Sequence, residues 1–138
     1  MRKLILILGF LSIPAYATLG QHVSSIDGDR KFFSHPLYSA HEISDPYTNI
    51  REYVANGIVF AVSWTGQIHP DLAQLFGTYY QNYHEAFLRT KRIKGQRSHG
   101  RVQGKDLVVE QWGHMRWMQG MAYIPSLLPI GMTPNEIK

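Results

Sequence analysis

The sequence predicts an α+β domain, an antiparallel sheet of four to six strands packed against one long amphipathic helix. Three observations predict it. Two β-rich runs, Ile50 to Ala55 and Ile58 to Trp64, flank Asn56-Gly57, a pair that tolerates the positive φ angles of a type I′ hairpin turn. Apolar residues then recur at three- and four-residue intervals from Leu72 to Phe87, the period of a helix with one buried stripe. β-rich runs return after Gly104. Strands, a helix, then strands again is the order of a sheet with its helix segregated to one face.

The elements follow in chain order. Arg2 and Lys3, the apolar run Leu4 to Ile13 and the triplet Ala15-Tyr16-Ala17 have the layout of an export signal with a small-residue cleavage site. The run is shorter than the roughly 20 residues that span a bilayer. Cleavage after Ala17 is expected, leaving one domain from Thr18 to Lys138. From 18 to about 36, the turn formers Gly20, Ser24, Ser25, Asp27 and Gly28 predict an extended arm, anchored on the core by Phe32 and Phe33. Tyr38 to Ile43 reads as the first strand, bounded by His35-Pro36 and Asp45-Pro46.

In the hairpin, strict alternation puts Ile58, Phe60, Val62 and Trp64 on the core face. Pro70-Asp71 suits the first turn of a helix, which is expected to run to about Lys91. Gly77 inside it costs about 1 kcal/mol relative to Ala and would allow close approach to the sheet. Beyond the helix, Gln103-Gly104-Lys105 predicts a turn, Asp106 to Gln111 a strand, Trp112-Gly113-His114 a second hairpin turn and Met115 to Ile124 the returning strand. Pro125 stops that strand. Leu127, Leu128 and Ile130 are expected to pack as irregular structure, and Thr133-Pro134-Asn135-Glu136 has the form of a capping box for at most one turn.

Composition bounds the chemistry. The chain has no cysteine, which excludes a Cys-anchored lipoprotein, a thiol enzyme and a Cys-ligated zinc domain. Removing Arg2 and Lys3 from the 14 cations leaves 12 against 10 acids, so the mature domain is nearly balanced. The balance hides polarity, because Arg89, Lys91, Arg92, Lys94, Arg97, Arg101 and Lys105 follow one another with no acid between them.

A wider likeness is carried by Arg51-Glu-Tyr-Val54, Phe60-Ala-Val-Ser-Trp64, Pro70-Asp-Leu-Ala-Gln-Leu-Phe-Gly77, Gly113-His-Met-Arg116, Gly120-Met-Ala-Tyr-Ile-Pro125 and Leu127-Leu-Pro129. Together these stretches resemble a family of small exported bacterial proteins, the domain of unknown function DUF2844, over nearly the whole mature chain. The resemblance implies a bacterial envelope protein, periplasmic or released. It brings no catalytic or binding residue with it.

The residues themselves offer few sites. The seven histidines show no H-x-H, H-x₃-H or H-E-x-x-H spacing, so no metal site is expected. No G-x-S-x-G elbow and no cofactor motif occurs, so no catalytic residue and no cofactor is assigned. Glu42, Glu52, Asp106 and Glu110 all fall on predicted strands, which leaves a small hydrolase of envelope polymers as the alternative if two of them converge in a cleft. The basic run from Arg89 to Lys105 is a candidate anion-binding surface for an anionic envelope component. Nucleic acid is disfavoured, since no aromatic residues interleave the cations. Trp112, Arg116 and Met118 are candidate contacts for a partner such as another envelope protein, part of an aromatic and methionine patch that includes Trp117 and Met121. A non-enzymatic binding domain, working through the sheet's second face or the basic run, is the leading expectation.

Overall fold

A computed structural model describes residues 18–23, 30–90 and 99–138. The export leader expected over Met1 to Ala17 lies outside the described residues, as do Lys91, Arg92, Lys94 and Arg97 of the basic run. The strands are β1 (Lys31–Ser34), β2 (Ser39–Ser44), β3 (Thr48–Ala55), β4 (Ile58–Gly66), β5 (His99–Gln103), β6 (Val108–His114) and β7 (Trp117–Tyr123). They form one antiparallel sheet in the order β1-β2-β3-β4-β7-β6-β5. The α+β class holds, with seven strands where four to six were expected. Two strands beyond the five named from the sequence appear: Lys31–Ser34 of the arm pairs with β2 as one edge, and His99–Gln103 pairs with β6 as the other. Phe32 and Phe33 therefore lie exposed on the β1 edge and do not anchor the core.

The β3–β4 hairpin turns as its sequence dictates, with Asn56 at φ 53° and Gly57 at φ 75°. Its alternation does not survive. Tyr53 pairs with Ala61 but Val54 pairs with Val59, so Phe60 is an extra residue in β4, a bulge that sets two residues against one. As a result Val59, Val62 and Trp64 pack on one side of the sheet, while Phe60 joins Ala61 on the other.

The first side is the helix face. Between β4 and β5 the chain forms α1 (Leu72–Phe76), a 3₁₀ turn over Gly77–Tyr79, and α2 (Tyr80–Arg89). Asp71 caps α1, its Oδ1 accepting from the N–H groups of Ala73 at 3.0 Å and Gln74 at 3.2 Å. The single helix expected from Pro70 to about Lys91 is broken at Gly77, whose φ of 51° no regular helix uses. A Cβ at Gly77 would collide with the Thr18 methyl. This glycine therefore admits the arm and does not bring the helix closer to the sheet. The arm is held by Leu19 N–H donating to Leu75 O at 2.9 Å and Gly20 N–H donating to Val59 O at 2.8 Å. Leu19, Leu75, Phe76 and Ala86 close over Ile50, Val62, Trp64, Val109 and Ala122 as the larger core.

The second face is covered as well. After Ile124 the chain returns across the sheet, and Met132 and Ile137 pack on Tyr53, Phe60, Ala61, Val108, Met121 and Tyr123. Leu127 and Leu128 are partly buried there, but Ile130, expected to pack, points into solvent. The capping box forms, with Glu136 Oε1 accepting from Thr133 N–H at 2.9 Å over the one-turn 3₁₀ helix Pro134–Glu136. The returning segment ends on a polar anchor. The Lys138 main-chain oxygen accepts from Tyr53 Oη at 2.6 Å, Ser63 Oγ at 3.0 Å and Arg51 Nη1 at 3.3 Å, and Lys138 N–H donates to Tyr53 Oη at 2.8 Å. Among the described residues no helix is long and apolar enough to cross a membrane.

Candidate functional site

The polar groups inside the sheet are spread over both faces. On the second face Arg51 donates through Nε at 3.2 Å and Nη2 at 2.6 Å to Glu42 Oε2, and its guanidinium lies 5.0 Å from the Phe33 ring centroid. The hydrogen bonds from Arg51 hold the Glu42 carboxyl below the usual carboxylate range. On the helix face Glu52 is fully buried between Ile50 and Val54, with Arg30 Nη1 at 3.9 Å. His41 sits opposite Glu52 across the β2–β3 pair and is buried under the edge ring of Phe32, 4.6 Å between centroids. Burial, with the Arg30 charge nearby, pushes the imidazole pKa down.

The four carboxylates of the hydrolase alternative are thereby separated. Glu42 and Glu52 occupy opposite faces, and Glu110 stands on β6, its Oε1 paired with Arg101 Nη1 at 2.6 Å. Asp106, expected on a strand, lies in the exposed turn before β6, because the strand begins only at Val108. Of the four, only Glu110 lines either of the two cavities around Trp112. Among the described residues no group of three His, Asp or Glu side chains is placed to hold a metal ion.

The expected anion surface is only partly described. Arg89 is exposed at the end of α2, Lys105 is exposed in the β5–β6 turn, and Arg101 is engaged with Glu110.

The partner candidates lie on the β6–β7 hairpin, which differs from expectation in one respect. Trp112, Gly113 and His114 continue β6, and the turn falls at Met115-Arg116. Gly113 allows this: its φ is 141°, and a Cβ there would strike the main chain of Trp117 across the hairpin. The shift changes which side chains meet. Trp112 pairs with Gln119 and His114 with Trp117, so the two indoles become diagonal neighbours on the second face. Met118 falls on the helix face, opposite to Trp112, and Arg116 is at the exposed turn. The three candidates therefore do not form one surface. Gln119 and Trp117 join Trp112 instead.

What gathers around Trp112 is a cleft. Where the returning segment stops, a cavity of about 320 Å³ is lined by Ser63, Trp64, Thr65, Trp112, Gln119, Gly120 and Lys138. A second, shallower one of about 390 Å³ lies beside it, between Glu110, Met121 and the segment residues Asn135 and Ile137. Trp112 and Lys138 line both. The indole N–H of Trp112 donates to Gln119 Oε1 at 2.6 Å. Indole nitrogen is a donor only, so this bond fixes the amide and leaves the two Gln119 Nε2 hydrogens facing elsewhere. Trp117, 46% exposed, lies beyond Gln119 on the same sheet face. Sequence reasoning missed Ser63, Thr65 and Gln119, since only the strand register and the returning segment bring them to Trp112.

Comparison with known proteins accords with this extent of fold. No curated protein and no solved structure matches the chain. One family does, over residues 15–137, which takes in every strand, the helices and the returning segment. The chain therefore belongs to the family described as Protein of unknown function (DUF2844).

Proposed function

We propose that this is an exported bacterial envelope protein, periplasmic or released, that works as a non-enzymatic binding domain through the second face of its sheet. The observation that carries the reading is the cleft at Trp112, continued by an exposed indole on the same face. Binding sites are concave, mostly apolar and furnished with a few fixed polar groups, and exposed aromatic side chains beside such a cleft are the usual anchors of an interface. The N-terminal layout of cations, apolar run and Ala15-Tyr16-Ala17 supports export. Of the four carboxylates weighed for a hydrolase, only Glu110 lines either cavity, and it is paired with Arg101, which favours binding as the reading of this cleft.

The test uses immobilised protein and envelope extract from its host at low and high salt. Retention of one envelope component is expected at both salt concentrations. Trp117→Ala should abolish it, and replacement of Lys91, Arg92, Lys94 and Arg97 by Gln should leave it in place. Retention that disappears at high salt and in the four-Gln variant, but survives Trp117→Ala, would assign binding to the basic run instead.

A further inference from the structure

We infer that the Trp112 cleft takes a neutral glycan chain; the inference rests on the binding reading above and names the ligand class of the same cleft. The lining has three chemical parts. The first is aromatic. Trp112 and Trp117 stand on neighbouring strands at diagonal positions of one sheet face, with Trp117 46% exposed. Diagonal pairs lie about 7–8 Å apart, within reach of large rings, so the two indoles put more than one ring's worth of aromatic surface on that face. A pyranose presents an apolar C–H face of matching shape.

The second part is neutral and polar. Gln119 is locked by the Trp112 indole at 2.6 Å with its N–H₂ group turned from that bond. Ser63 Oγ donates its one proton to the Lys138 oxygen at 3.0 Å and keeps acceptor lone pairs. Thr65 completes a set of donors and acceptors in one small space. Sugar hydroxyls, each both donor and acceptor, satisfy such a mixture, whereas an anion would leave its acceptors unanswered and a lipid chain would bury its polar members unsatisfied.

The third part is charge. The adjoining cleft is walled by Glu110, whose carboxylate is matched by Arg101 at 2.6 Å. That pair leaves no net charge on the wall, and Lys138 is the one other charged residue in the two linings, so the cleft lacks the cluster of cations that would hold a polyanion. A volume of about 320 Å³ falls at the small end of ligand pockets, which begin at roughly 300 Å³. That space suits one sugar unit, with the next units lying along Trp117.

Calorimetric titration of the purified protein with tetra-N-acetylchitotetraose, cellotetraose and maltotetraose tests this, with polygalacturonate as the anionic comparison. Saturable binding to at least one neutral tetrasaccharide and none to polygalacturonate is expected. A response confined to the chitin oligomer points to acetamido sugars as found in cell-wall glycan, and a response to the glucose oligomers points to a plain glucan. Trp117→Ala and Gln119→Ala should each weaken binding by about tenfold. Trp117 is half-exposed, so a melting curve matching the parent will separate lost contact from lost fold. Heat from polygalacturonate alone, or from none of the four, overturns the glycan assignment. If envelope retention is still lost in Trp117→Ala, the face is a binding face for another class of partner; if that too is unaffected, both readings fall.

Discussion

Gly120→Ala lowers the stability of the protein by about 3 kcal/mol, the upper part of the range for overpacking a tight interior. Gly120 lies opposite Trp64 in the β4–β7 pair. A Cβ there would run into the six-membered ring of the Trp64 indole, and would come within 2.8 Å of Nε1. Trp64 cannot move aside. It is buried on the helix face, held between its strand neighbours and the rings of Phe76 and His69, each with its centroid 6.1 Å away. Interiors packed this closely relax only partly, so the strain must spread into β4, the central strand, and its neighbour β7. Thermal unfolding followed by circular dichroism should show a midpoint about 10 °C lower. A midpoint within a degree or two of the parent would mean that Trp64 is not packed against Gly120 as described.

Ile137→Asp acts on the opposite face, and with a different outcome. Ile137 is buried with Met132 against Tyr53, Met121 and Tyr123. A carboxylate placed there has no cation among these neighbours, and burying it costs several kcal/mol. The cheaper response is to lift the returning segment from the sheet, which the helix-face core does not need for its own closure. We expect the sheet and helix signals to persist while the segment after Ile124 becomes open to protease. Protection of the Lys138 amide, which donates to Tyr53 Oη at 2.8 Å, should be lost from hydrogen exchange. Since Lys138 lines both cavities around Trp112, ligand retention should disappear with it. Cooperative loss of all structure in Ile137→Asp would show instead that both faces form one folding unit.

These two residues also mark what was legible in the sequence. The hairpin at Asn56-Gly57 was plain, because positive φ at two consecutive residues is a strictly local demand. The helical stripe from Leu72 to Phe87 was equally local, and so was the class. Gly77 shows the limit: its break in the helix answers Thr18, a residue far off in sequence that only the fold brings near. Phe60 shows a second. A bulge shifts the period by one residue without any change in residue type, so an unbroken apolar run cannot reveal it. The site was half visible. Trp112 and Trp117 stood out by type, but placing the turn at Trp112-Gly113-His114 hid their meeting, and the turn moves two residues on because Gly113 can sit in the strand with φ 141°. Ser63, Thr65 and Gln119 gave no signal, being ordinary strand residues until the segment ending at Lys138 encloses them.

The protein's three tryptophans make the binding claim directly measurable. Each contributes one indole N–H resonance to a proton–nitrogen correlation spectrum. Trp112 and Trp117 belong to the cleft face, whereas the Trp64 ring is buried among the helix-face residues. On titration with the tetrasaccharide that binds, the Trp112 and Trp117 indole signals should shift together with the Gln119 side-chain amide, and by more than Trp64, which lines the cavity but whose ring is buried on the helix face. Binding that leaves Trp112, Trp117 and Gln119 unmoved, or that shifts only signals from the Arg89 to Lys105 stretch, would contradict the account.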